Sequence, residues 1–144
     1  MDVDALAGLR GRPVPGGRYT IDPAEHAEVL RSVAARRRSD GSAHPIYAYI
    51  TAQRAMGWTV DEFLRVCDSK PEDGPLMAGC RFVFARSLRV GATYAVTGEI
   101  TDAERKTGRR TGVFDLVSFQ LRLACQGETA VTMASTWVLP RRDP

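Results

Sequence analysis

Two hydrophobic rhythms divide the chain. Up to about residue 67 apolar side chains recur at helical spacing, and from Cys80 onward they recur at every second position. In the first half, Asp22 makes a good N-cap, Pro23 suits the first helical position and Glu25 completes a capping box. Ala27, Leu30, Val33 and Ala34 continue the stripe, predicting a helix to about Arg37 that the run Ser39-Asp40-Gly41-Ser42 breaks. The stretch 45–56 starts on a proline, ends before Gly57 and is apolar on most faces, with alanines at 48, 52 and 55. Such a helix expects to be enclosed by other structure. Thr59-Val60-Asp61-Glu62 is a second capping box that opens a short helix to about Val66, and 68–79 reads as a polar loop.

In the second half, Cys80, Phe82 and Phe84 alternate with Arg81, Val83 and Ala85, and Tyr94, Val96 and Ile100 alternate with Thr93, Thr97, Glu99 and Thr101. Val113, Val117, Phe119, Leu121 and Leu123 share one face, as do Val131, Met133, Trp137 and Leu139. Hairpins are predicted around Gly108 and at Gln126-Gly127-Glu128. Helices followed by about four long antiparallel strands give an α+β order. The apolar helix at 45–56 is the candidate to cover the sheet's concave face. Residues 1–18, rich in Gly, Pro and Arg, predict an irregular arm with a short strand near Tyr19; 19–140 form one domain and 141–144 a basic tail.

Composition narrows the function classes. With 144 residues, 44% hydrophobic and 26% charged, the chain suits one globular domain. No apolar run approaches the roughly 18 residues needed to cross a bilayer, and Met1 to Arg12 lack a signal-peptide core, so a cytoplasmic, membrane-free protein is expected. Cys67, Cys80 and Cys125 are widely spaced without a C-x-x-C pair, and with two histidines they offer no metal-ligand pattern. The net charge of +3 gathers in clusters at Arg36 to Arg38, at 105–110 and at 141–142. Solvated surface and attraction to an anionic partner both fit these clusters. Nucleic acid fits poorly, because no aromatic side chains interleave with the arginines.

Two stretches carry a resemblance. Ala43-His44-Pro45-Ile46-Tyr47, followed by Thr51-Ala52-Gln53-Arg54-Ala55, resembles the start of the central helix of MaoC-like acyl-thioester hydratases and dehydratases. Arg81-Phe82 with Arg86-Ser87-Leu88-Arg89-Val90-Gly91 is similar to that family's aromatic strand, basic turn and glycine. The resemblance spans roughly 19–139 and implies an α+β hot-dog fold, a curved antiparallel sheet wrapped around the helix at 45–56. It also implies an acyl-CoA or acyl-carrier-protein thioester as ligand, with no cofactor. In the family an Asp and a His about five residues apart hold the water that is added to a 2-enoyl thioester or removed from a 3-hydroxyacyl one. Backbone N–H groups at the start of the central helix stabilise the enolate-like oxygen.

This sequence departs from that pattern twice. Only Ser39 to Ala43 separate the first helix from His44, so the segment that carries the dyad is absent, and Pro45 stands where an N–H donor is expected. The candidate catalytic residues are Asp40 and His44, four apart, and Tyr47; the competing expectation is that His44 starts the helix and Tyr47 packs in the core. Candidate substrate-binding residues are Tyr49, Gln53 and Asp115, the last being a carboxylate that interrupts an apolar strand face or sits at an edge or bulge. His26, between Glu25 and Glu28, is expected on the surface. Three functions stay open: a hydratase/dehydratase with an altered site, a non-catalytic hot-dog subunit paired with a catalytic one, and a hot-dog thioesterase. All three predict a homodimer or heterodimer, since a lone hot-dog sheet leaves one edge open.

Overall fold

The elements run α1 (Val3–Ala7), β1 (Gly17–Thr20), α2 (Pro23–Ser32), α3 (Tyr47–Ala55), α4 (Val60–Val66), a 3-10 turn (Pro71–Asp73), β2 (Leu76–Phe84), β3 (Thr93–Gly108), β4 (Gly112–Cys125) and β5 (Glu128–Pro140), in a computed structural model that describes residues 1–141. The strands form one antiparallel sheet in the order β1-β3-β4-β5-β2. α3 packs over β1, β3, β4 and β5. This is the α+β hot-dog architecture that the sequence pattern leads to.

Small side chains let the central helix sit close to the sheet. Ala48, Ala52 and Ala55 are 1%, 0% and 2% exposed, and they face an apolar strand layer that includes Val96, Ile100, Val117, Leu121, Val131 and Met133. At the far end of α3, Gly57 turns the chain at a φ of +87°; a Cβ there would lie 2.7 Å from the carbonyl oxygen of Gly16. Only glycine meets both demands. α4 keeps its capping box, with Thr59 and Glu62 exchanging both bonds. Phe63 anchors it edge-on to Phe119 and Trp137, at ring distances of 5.3 and 5.6 Å. β4 passes to β5 through Gln126 and Gly127, both at positive φ, the geometry a two-residue hairpin needs.

Several expectations change. The arm at 1–18 is not irregular throughout: Asp2 caps α1, and Leu6, Leu9 and Val14 join the core. α2 ends at Ser32, short of Arg37, because Ala34 takes a left-handed conformation (φ 52°) that a helix cannot continue. Val33 is consequently exposed, and the buried stripe of α2 is His26 and Leu30. The loop expected over 68–79 gives way at Leu76 to β2. The alternation over Cys80 to Ala85 does not produce a half-buried strand, because β2 is a sheet edge outside the cover of α3. Leu76, Met77, Val83 and Phe84 stand 43–65% exposed. Of the basic tail, 142–144 lie outside the described residues, whereas Arg141 is anchored to the domain.

Candidate functional site

The start of α3, where the resemblance puts the chemistry, is a junction with α2 in which the amide donors are already engaged. The His44 N–H donates to His26 Nε2 at 3.0 Å, and the Ile46 N–H donates to His44 Nδ1 at 3.1 Å. The Tyr47 N–H donates to the His44 carbonyl and the Ala48 N–H to the Pro45 carbonyl, each at 3.0 Å. Pro45 has no N–H. No amide from His44 to Ala48 is therefore free to meet a developing oxyanion. His26 is buried rather than on the surface, contrary to expectation, because its ring is the acceptor that fixes this junction and lies 5.4 Å from the Tyr47 ring. Burial, then His44 and Arg37, hold its pKa below the ordinary histidine value.

Asp40 and His44 share no hydrogen bond. The Asp40 carboxylate accepts from the Ser42 N–H at 2.9 Å, and its carbonyl accepts from Arg89 at 2.7 Å. Backbone bonds Ala43 N–H to Leu88 O and Val90 N–H to Gly41 O pin the loop to the segment after β2. The Ser42 hydrogen bonds lower the Asp40 pKa, the reverse of what a general base at neutral pH needs. Tyr47 is fully buried, its hydroxyl has no protein partner, and burial raises its pKa. Tyr49 is half-buried against the core. Gln53 lines a slot with Met56, Phe63, Phe119 and Trp137 whose free volume is about 10 Å³, room for one water at most.

Asp115 lies far from this junction in contacts and in role. It is 0% exposed, and Arg105 grips it with Nε at 2.7 Å and Nη2 at 3.1 Å. Arg141 adds Nε at 2.7 Å and carries on to the Cys67 and Asp68 carbonyls, while Arg105 reaches the Met1 carbonyl. The carboxylate thus ties together β3, β4, α4 and the chain on either side. Hairpin symmetry is the signal that could have found the pair: Arg105 and Asp115 are directly opposed across the turn at 109–111. Burial pushes the Cys67 thiol up to about 12, which removes it as a nucleophile. Among the described residues, no three His, Cys, Asp or Glu side chains gather as a metal site requires, and no helix is long and apolar enough to cross a membrane.

No protein-family model matches the chain in sequence, and no curated protein matches it. Solved structures match well. The ChsH1-ChsH2 complex from Mycobacterium tuberculosis aligns with a TM-score of 0.72 at 14% identity, over 98% of this chain and 93% of that one. The HadBC (3R-hydroxyacyl-ACP dehydratase) complex from the same organism aligns with a TM-score of 0.69 at 18% identity, over 90% and 96%. A MaoC-like dehydratase aligns with a TM-score of 0.67 at 19% identity, over 96% of this chain but 44% of that longer one. At such identities the likeness establishes the fold shared with these structures.

Proposed function

We propose that this chain is a MaoC-like hot-dog protein that binds an acyl thioester, on coenzyme A or acyl carrier protein, and serves as the non-catalytic subunit of a heterodimeric (R)-specific enoyl hydratase or 3-hydroxyacyl dehydratase. The observation that carries this is the closed junction at α3: Pro45 lacks an N–H, and the amides of His44, Ile46, Tyr47 and Ala48 are all spent inside the protein. Hydration needs a base, an acid and an oxyanion donor at one point. The Asp40 carboxylate is turned to the Ser42 N–H and shares no hydrogen bond with His44, so it supplies no base there.

β2 supports the partner role. Covering its four exposed apolar side chains recovers about half of the 1.5–3 kcal/mol that full burial of each is worth, roughly 3–6 kcal/mol in all. Between 74 and 90 the chain carries Arg81, Arg86 and Arg89 and no carboxylate. Arg86 is paired with Glu128 and Arg89 is held by the Asp40 carbonyl, which leaves Arg81 without a side-chain partner among the described residues. Two copies joined antiparallel at the middle of β2 bring their Arg81 side chains near each other, which favours a different chain as partner.

Expressed alone, the protein is expected neither to hydrate crotonyl-CoA nor to release free thiol from acyl-CoA. Hydration abolished by His44→Ala overturns the subunit role, and thiol release without hydration points to a thioesterase. Co-expressed with a catalytic hot-dog homologue it should co-purify, and Phe84→Glu should abolish that association while the melting temperature of the chain alone stays within about 2 °C. Unchanged association in this variant removes β2 from the interface.

A further inference from the structure

We propose that the groove between the C-terminal end of α2 and the segment 36–45 binds the phosphate of a phosphopantetheine thioester, an assignment that rests on the acyl-thioester function proposed above. The groove exists because α2 stops early. Ala34 at positive φ, with the Ala35 N–H closing on the Leu30 carbonyl at 2.9 Å, turns the chain back on itself. Arg36 and Arg38 then line, with Ser42 and His44, a cavity of about 40 Å³ over His26 and Leu30. A second cavity of about 240 Å³ shares His26 and Leu30 and continues past Arg31 and Arg37 along an apolar floor of Pro23, Ala27 and Val90.

The charge balance here is one-sided. Arg36, Arg37 and Arg38 are exposed and form no ion pair among the described residues, whereas Arg31 has Glu28. Between Glu28 and Asp61 the sole carboxylate is Asp40, which does not line the cavity and is engaged by Ser42. The histidines add donors rather than acceptors. His44 Nδ1 accepts from Ile46, so the neutral ring carries its proton on Nε2; His26 Nε2 accepts from His44, so its proton is on Nδ1. Guanidinium forks with an imidazole donor suit a tetrahedral anion, and the adjoining apolar floor suits an arm that is polar at one end only.

Calorimetric titration with 4′-phosphopantetheine and with pantetheine tests the site directly. The phosphorylated arm is expected to bind at least tenfold tighter, and Arg36→Ala with Arg38→Ala to erase that difference without moving the melting temperature. Equal binding of the two arms, or a difference that survives the double variant, overturns the site. Titrations with coenzyme A and with holo versus apo carrier protein identify the source of the phosphate, each losing affinity in the double variant when it is the ligand used. Acyl-pantetheine that binds regardless of these arginines leaves thioester binding intact and removes only the phosphate site. Phosphopantetheine held by the arginines with no gain from an acyl group does the opposite.

Discussion

Replacing Asp115 with alanine separates a structural carboxylate from a substrate-binding one. The side chain is 0% exposed, and its partners Arg105 and Arg141 are 25% and 16% exposed. Removing it leaves two guanidinium groups facing each other over a dry strand face and loosens the carbonyls of Met1, Cys67 and Asp68 that they also hold. Breaking a buried pair costs about 3–5 kcal/mol, and the partial exposure of both arginines favours the lower end, about 3 kcal/mol. With 144 residues the unfolding entropy is about 0.3 kcal/mol/K, so the melting temperature should fall by roughly 10 °C in a calorimetric scan. The exposed Glu104 on β3, next to Arg105 and paired with Lys106, is the control: Glu104→Gln should change stability by less than about 0.5 kcal/mol. A shift below about 3 °C for Asp115→Ala, or lost acyl-thioester binding at unchanged stability, refutes the structural role.

Two further outcomes follow from the junction at α3. His26 has a folded pKa below its ordinary value of 6.5, so the unfolded chain binds the proton first as pH falls; stability should be full above about pH 7 and decline as pH drops below 6.5. Thermal scans from pH 8 to 5 measure this, and His26→Gln, which keeps an acceptor for the His44 amide, should flatten the slope between pH 6.5 and 5. Tyr47→Phe removes a buried hydroxyl that has no protein partner, and should leave the unfolding free energy from urea titration unchanged or raise it by up to about 1 kcal/mol. A loss above about 1 kcal/mol shows that the hydroxyl is satisfied.

The sequence is most readable where structure is decided locally. Asp22 with Pro23, Thr59 with Glu62, and Gln126-Gly127 act within a few residues of themselves and perform as their chemistry predicts, but Glu25 does not close the expected capping box, because its carboxylate accepts from the Tyr19 hydroxyl instead. The alternation in β3, β4 and β5 is equally legible, because α3 covers one face of each. Failures arise where a distant partner decides. Nothing near His26 announces that its acceptor will meet the His44 amide 18 residues on, and nothing near Ala34 announces a left-handed turn. β2 alternates like its neighbours, yet its burial depends on what lies beyond the sheet edge. Of the candidate site residues, His44 and Tyr47 do meet at one junction with His26, whereas the Asp40 carboxylate is held by Ser42 in a local turn, and Asp115 is held by Arg105 across its own hairpin and by Arg141, 26 residues on, which local spacing does not reveal.

The strand order also sets a timetable for synthesis. Among the described residues β2 pairs only with β5, and β5 begins at Glu128, 44 residues after β2 ends at Phe84. At about 5–20 residues per second a ribosome needs roughly 2–9 s to make that stretch. Throughout this interval the most apolar exposed strand of the protein has neither edge paired, and β3 and β4 can close their own hairpin without relieving it. The nascent chain therefore passes through a window in which β2 is open to chaperones and to other unpaired strands, and slower elongation over 85–127 lengthens it.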